Sequence, residues 1–187
     1  MPRNSLPRAR IQGNLDGLCG VYAVVNSVRN LSPKRLNGED ERKLFRQLIA
    51  KLGEEDRLAD ALCNGMTVQP LGRLIDSASE FLQGNRGHRL SRQLAFRQTP
   101  EGLQQFWELI SSHLSDHGPG SVILGLGGKH DHWTCISTMS EHTITLIDSD
   151  GIRRLHRKHC TVSDAKAGRH HVLWPTQTYV LHVEAQI

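Results

Sequence analysis

The 187-residue sequence predicts one α+β domain spanning 1–187, and three observations point there. Up to about Leu114, apolar residues recur at three- and four-residue intervals. After Gly118-Pro119-Gly120 the period becomes extended, in runs rich in Val, Ile, Thr and Tyr. The links between the first three of those runs are too short for crossover helices. N-terminal helices packed on a C-terminal, largely antiparallel sheet follow from that order.

Residues 1–16, with Pro2, Pro7, Gly13 and Asn14-Leu15-Asp16-Gly17 at their end, predict an irregular arm. From Gly17 to about Asn30, Val21, Val24, Val25 and Val28 trace one helical face; valine is a poor helix former, but a buried face outweighs propensity. Leu44, Phe45, Leu48, Ile49 and Leu52 mark a second helix from about Glu39, with acids in its dipole-favoured first turn and Gly53 as its stop. Arg57 to Cys63 adds a short helix. Leu71, Leu74, Ile75, Ala78 and Phe81 mark another over 68–82, with Thr67 as cap. Thr99-Pro100 predicts the cap and first turn of a helix with face Leu103, Phe106, Trp107, Ile110 and Leu114. Strands are expected at 121–126, 132–138, 143–148 and 178–184, with an earlier one over 89–96.

At 37% hydrophobic and 22% charged residues, the composition is that of a folded chain. Apolar runs such as Ser121–Leu126 fall far short of the roughly 20 residues a membrane span needs, and no apolar core follows the basic N-terminus as in a signal peptide. No membrane partner and a cytoplasmic location are expected. The four cysteines, Cys19, Cys63, Cys135 and Cys160, are widely spaced without a CxxC pair, which argues for reduced thiols, not a disulfide scaffold. Cys63 and Cys135 read as core residues. The net charge of +4 is mild. The Arg153–Lys158 run lacks the interleaved aromatics that stack bases, so it reads as a solvated face, not a nucleic-acid surface. Eleven histidines raise the question of metal. His130, His132, His156, His159 and Cys160 fit no standard zinc spacing, and the cations Arg157 and Lys158 lie among the last three; no metal or cofactor is expected.

Cys19 stands where a glycine-bearing loop meets the first apolar helix. Unpaired amides and the positive end of a helix dipole favour an anion there, hence the nucleophilic thiolate. Gly17 and Gly20 beside it remove bulk, which would let a substrate backbone approach the sulfur. Gly127-Gly128-Lys129-His130-Asp131-His132-Trp133 delivers a histidine to the first residue of a strand, next to a shielding tryptophan. The following strand ends in Asp148-Ser149-Asp150-Gly151. If it pairs antiparallel with the first, His132 and Asp148 share one sheet edge. Nucleophile, base and orienting carboxylate are then assembled, and Gln12 with the Cys19 amide supplies oxyanion donors. Asp150 and His130 are the alternatives for carboxylate and base.

Gln12, Cys19-Gly20 at a helix start, His132-Trp133 opening a strand and Asp148 closing the next resemble the papain-like cysteine peptidases. The nearest likeness is to the compact bacterial group of double-glycine leader peptidases and effector proteases. The match covers about 11–30 and 127–151. Asp16-Gly17-Leu18-Cys19 is also similar to the opening of ovarian-tumour-type deubiquitinases. The resemblance implies a papain-like fold and a catalytic set of Cys19, His132, Asp148 and Gln12. It further implies a protein or peptide substrate, ubiquitin-like or cut after small or Gly-Gly residues, and leaves open delivery to a host cell by a non-classical secretion route. Gln12 precedes Cys19 by seven residues, a longer gap than the family's pattern, and Gly20 stands where papain itself has an aromatic residue. Acyl transfer or amidase action would share the same acyl-enzyme, while a non-catalytic zinc- or nucleic-acid-binding module is the reading from another class.

Overall fold

The computed structural model describes residues 9–13, 16–32, 36–116, 120–165 and 167–184. Residues 1–8 and 14–15 of the expected arm, and Gly118-Pro119 of the expected junction, lie outside the described residues. The helices are α1 (Cys19–Leu31), α2 (Gly38–Glu54), α3 (Leu58–Asn64), α4 (Val68–Arg86) and α5 (Leu103–Asp116). The strands are β1 (Arg89–Leu94), β2 (Gly120–Gly128), β3 (His132–Met139), β4 (Thr143–Ile147), β5 (Arg154–His156), β6 (Cys160–Thr161) and β7 (His171–Glu184). The protein is therefore a mixture of helices and a largely antiparallel sheet. Among the described residues, no helix is long and apolar enough to cross a membrane.

The sheet runs β1-β7-β2-β3-β4-β5, all antiparallel, and short β6 joins β7 in parallel. β5 and β6 lie on opposite flanks of this sheet, yet only the 3-10 turn Arg157–His159 separates them in sequence. The four Cα–Cα steps from His156 to Cys160 reach at most about 14 Å, whereas five flat strand spacings would need about 24 Å. The sheet must curl, and its alternating residues face two cores. Val122, Leu124, Leu126, Ile144, Leu146, Leu155, Cys160 and Leu173 pack with Phe106, Trp107 and Ile110 of α5. Ile123, Trp133, Tyr179 and Leu181 pack with the valines of α1 and the apolar faces of α2 and α4.

Local chemistry explains where elements depart from their expected limits. Asn37 caps α2 by accepting from the Glu39 and Asp40 amides at 2.9 and 2.8 Å, and Gly53 lies inside that helix, one residue before its end. Thr67 occupies the N-cap position of α4 without a side-chain bond. The Thr99-Pro100 signal is overridden: α5 starts at Leu103, and Gln105 Oε1 reaches back to the Glu101 amide at 3.2 Å. The order of helices before strands is broken by β1, which pairs along β7. β7 itself begins seven residues before its expected start. Pro175 is tolerated because it sits in a bulge where Leu124 pairs with Thr178 and the next residue, Gly125, with Trp174.

The described arm is irregular but held. The Arg10 amide donates to Asn26 Oδ1 at 2.9 Å, and its guanidinium and that of Arg29 share the buried Glu41 carboxylate. This ties the arm to α1 and α2 and carries it toward the end of β4.

Candidate active site

Cys19 is the first residue of α1, almost wholly buried, with Sγ 3.8 Å from the Gly17 carbonyl. The helix has no side-chain cap and no acid in its first turn. Asp16 takes the Leu18 amide at 3.1 Å and the Gly17 amide goes to the Leu62 carbonyl at 2.8 Å, so the loop is pinned just before the helix. Among the described residues no group takes the amides that open α1 beside the sulfur, an arrangement suited to an anion.

His132 opens β3 and Asp148 directly follows β4, as the strand order predicts. Their side chains meet at 2.8 Å, His132 Nε2 to Asp148 Oδ2. The turn after β4 explains why the carboxylate is fixed: Asp148 Oδ1 accepts from the Asp150 and Ile152 amides at 2.9 and 3.0 Å. Burial disfavours the charged imidazole, but hydrogen bonds with Asp148 and Cys19 outweigh it and raise the His132 pKa to about 10. For Asp148, burial alone would raise the pKa, and the His132 hydrogen bond and charge bring it below its ordinary value. With Nε2 committed to Asp148, Nδ1 is the nitrogen left for Cys19.

The alternatives lie elsewhere. The His130 ring pairs with His171, Nε2 to Nδ1 at 2.8 Å, with the rings stacked. Asp150 is exposed. Gln12 lies between the two halves of the site. Its Nε2 donates to the Asp16 carbonyl, its Oε1 accepts from Ser149 Oγ at 3.3 Å, and its backbone amide donates to the Ser149 carbonyl at 2.9 Å. Gln12 thus straps the nucleophile loop to the carboxylate turn, and no hydrogen bond joins it to Cys19.

Cys19 and His132 open into a cleft of about 330 Å³ whose walls include Arg57, Asp60, Met66, Asp131, Trp174 and Gln177. Trp133 Nε1 donates to the Met66 carbonyl at 2.7 Å and fixes the α3–α4 loop against the histidine strand. The glycines do not widen this cleft for substrate. A Cβ at Gly17 would stand 2.7 Å from the Ala61 carbonyl, one at Gly20 2.6 Å from Met66 Sδ, and one at Gly127 2.4 Å from the Trp174 ring. The protein's own chain fills those spaces. Gly128 has φ of +71° and serves the turn before His130.

Three contributors carry little sequence signal. Trp174, on β7, lines the cleft through the bulge at Pro175. Thr134, 1% exposed, lies opposite Asp148 when the Cys135–Ile147 register is continued by one residue, and helps to lower that carboxylate's pKa. Its Oγ1 meets no partner at full hydrogen-bond geometry, so its effect is that of a nearby dipole. Asn26 is buried in α1 and holds the arm. The other cysteines separate cleanly: Cys135 and Cys160 are buried, the latter donating to the His156 carbonyl at 3.3 Å, whereas Cys63 is exposed and not part of the core. Among the described residues, no three His, Cys, Asp or Glu side chains are arranged to hold a metal ion. Comparison of the chain with protein-family models, with curated proteins and with solved structures finds no match.

Proposed function

We propose that this protein is a papain-like cysteine peptidase that hydrolyses a peptide or isopeptide bond of a protein substrate. The supporting observation is the meeting, in one open cleft, of a cysteine at an uncapped helix N-terminus and a histidine held from its far side by a buried carboxylate. The imidazolium form of His132, favoured by Asp148, and the positive end of α1 both suit an anionic Cys19 sulfur.

Cys19 Sγ attacks the carbonyl carbon, and the carbonyl π pair moves to oxygen. That oxyanion faces the amides opening α1, and the second hydrogen of the Gln12 amide serves as a further donor. The pair then returns, the C–N bond breaks, and the leaving amine takes its proton from His132. Water, deprotonated by His132, attacks the thioester and releases the acid and the thiolate. The steps need no cofactor. Trp174 and Gln177 are the groups that a substrate chain would meet beside the sulfur. Small or Gly-Gly residues before the scissile bond rest on the family resemblance alone, since the glycines near Cys19 serve internal packing.

A peptide carrying a thiol-directed electrophile after a Gly-Gly end tests the reading, with labelled sites mapped by mass spectrometry. Cys63, exposed and outside the cleft lining, is the internal control. Cys19 labelled first, in a His132-dependent manner, is the expected result. Labelling of Cys63 as fast as Cys19, or Cys19 labelling unchanged in His132→Ala, would reject thiol catalysis.

A further inference from the structure

At the end of β4 away from Asp148, a second cavity of about 550 Å³ opens between α5 and the β5–β6 turn. Leu103, His142, His156, Arg157, Lys158 and Arg169 line it. Its ionisable lining is entirely basic. Arg157 is preset: its guanidinium donates to Gln104 Oε1 and, at 3.3 Å, to the Glu141 carbonyl, and lies 5.1 Å above the Trp107 ring. None of these partners is a carboxylate, and among the described residues no ion pair neutralises its charge. Lys158 and Arg169 are exposed and make no ion pair among the described residues. The neighbouring acids are Glu141, 79% exposed and 3.8 Å from His142 Nε2, and Glu108, which accepts from Nε2 of the Gln104 amide that holds Arg157.

The chain brings these charges together at a cost in mutual repulsion, because the three-residue turn that closes the curled sheet is Arg157-Lys158-His159. His159 is anchored through Nδ1 to the Gly168 carbonyl at 2.9 Å, and its ring stacks on His170, next to Arg169. The loop carrying Arg169 is thereby held against the turn carrying Arg157 and Lys158. Salt-free guanidinium and ammonium groups around a concave space are the complement of a compact anion with several oxygens. A nucleic-acid strand is a poorer match, because the aromatic residue at this site, Trp107, is buried beneath Arg157 and offers no face to a base.

We propose that this cavity is a binding site for a compact, multiply charged phosphate-bearing anion, separate from the Cys19 cleft. Arg157 supplies the fixed fork, and Lys158 and Arg169 close on the ligand from the two flanking segments.

Isothermal titration of the full chain with inorganic tripolyphosphate tests this, with orthophosphate and a single-stranded oligonucleotide as the other arms. Saturable 1:1 binding of tripolyphosphate is expected, at least about tenfold tighter than orthophosphate and weakening with salt. The Lys158→Ala/Arg169→Ala double variant should weaken it about tenfold or more without changing the melting temperature, because both side chains are exposed. Arg157→Gln should weaken it as well. Absence of saturable binding, or binding unaffected by the double variant, overturns the site. Tighter binding of the oligonucleotide that is lost in the same variant replaces the compact anion with a nucleic-acid strand. Cys19 labelling is read in parallel and stays unchanged in the double variant, so this outcome is independent of the proposed peptidase.

Discussion

Two histidines, two residues apart at the head of β3, are driven in opposite directions. His132 is the more deeply buried, yet its pKa rises to about 10. Its neighbour His130 is lowered, by burial first and then by Lys129 and His132, and His130's partner His171 falls to about 4, by burial first and then by His170 and His130. Burial pushes all three down. What differs is the group across the hydrogen bond, a carboxylate for His132 and a second imidazole for His130. One pair therefore carries a proton through neutral pH beside a thiol. The other stays neutral and ties the loop before β3 to β7. Depth of burial is thus a poor guide to which histidine keeps its proton; the partner decides.

The largest expected effect is that of Cys19→Ala. Activity should fall about 10⁴-fold or more, with melting within a few degrees of the parent, since one small side chain at a helix end is lost. The same change removes one of the groups that raise His132, so its NMR titration should move down while that of His171 stays put. Residual cleavage near the parent rate would end the mechanism. Next comes His132→Ala, expected to cost about 10³-fold or more in kcat/KM, against less than about tenfold for His130→Ala. The reverse order would show that the two pairs have been assigned the wrong roles.

Asp148→Asn should reduce kcat about 10²- to 10⁴-fold, and Asp150→Asn by less than about twofold. The pH profile carries the sharper signal. With Asp148 present, His132 loses its proton near pH 10, so the alkaline limb lies there; without the carboxylate it should move toward neutral pH. Thr134→Val should raise the Asp148 pKa and shift the acid limb up by a smaller amount, with Thr134→Ser restoring it. Stability follows by linkage. Asp148 is depressed below 3.8, so its contribution is present above about pH 4 and lost as pH falls through its folded value. His132 is raised above 6.5, so its contribution is full below about that pH and lost as pH rises through about 10. The smallest effect is spectroscopic. His130→Ala should raise the His171 pKa from about 4, but short of its ordinary value, because burial is the larger cause. An unchanged value would remove the coupling from the comparison.

The strands that carry His132 and Asp148 were legible because their logic is local. A histidine opening one strand and an aspartate closing the next must meet if the strands pair antiparallel, and the 2.8 Å contact follows from that. Cys19 was legible for a similar reason: glycines, a small loop and the onset of a valine face mark a helix start. The roles of the glycines were not. Gly17 and Gly20 look like room for a substrate until the positions of Ala61 and Met66 are known, and these come from distant elements. Trp174 escaped because Pro175 signals the end of a strand, and only the bulge opposite Gly125 shows that the strand continues.

By itself, the sequence determined the helical and extended periods, the antiparallel order of β2, β3 and β4, and the meeting of His132 with Asp148. These depend on side-chain spacing and on neighbours within one or two elements. Tertiary structure decided the rest: the curl of the sheet, closed by a three-residue turn, the cap-free opening of α1 into a cleft, and the partner of each histidine. An imidazole's charge depends on the atoms across a hydrogen bond and on the solvent excluded around it. His130 and His132 are two residues apart in sequence, yet their partners are 41 and 16 residues away, and only packing brings them there.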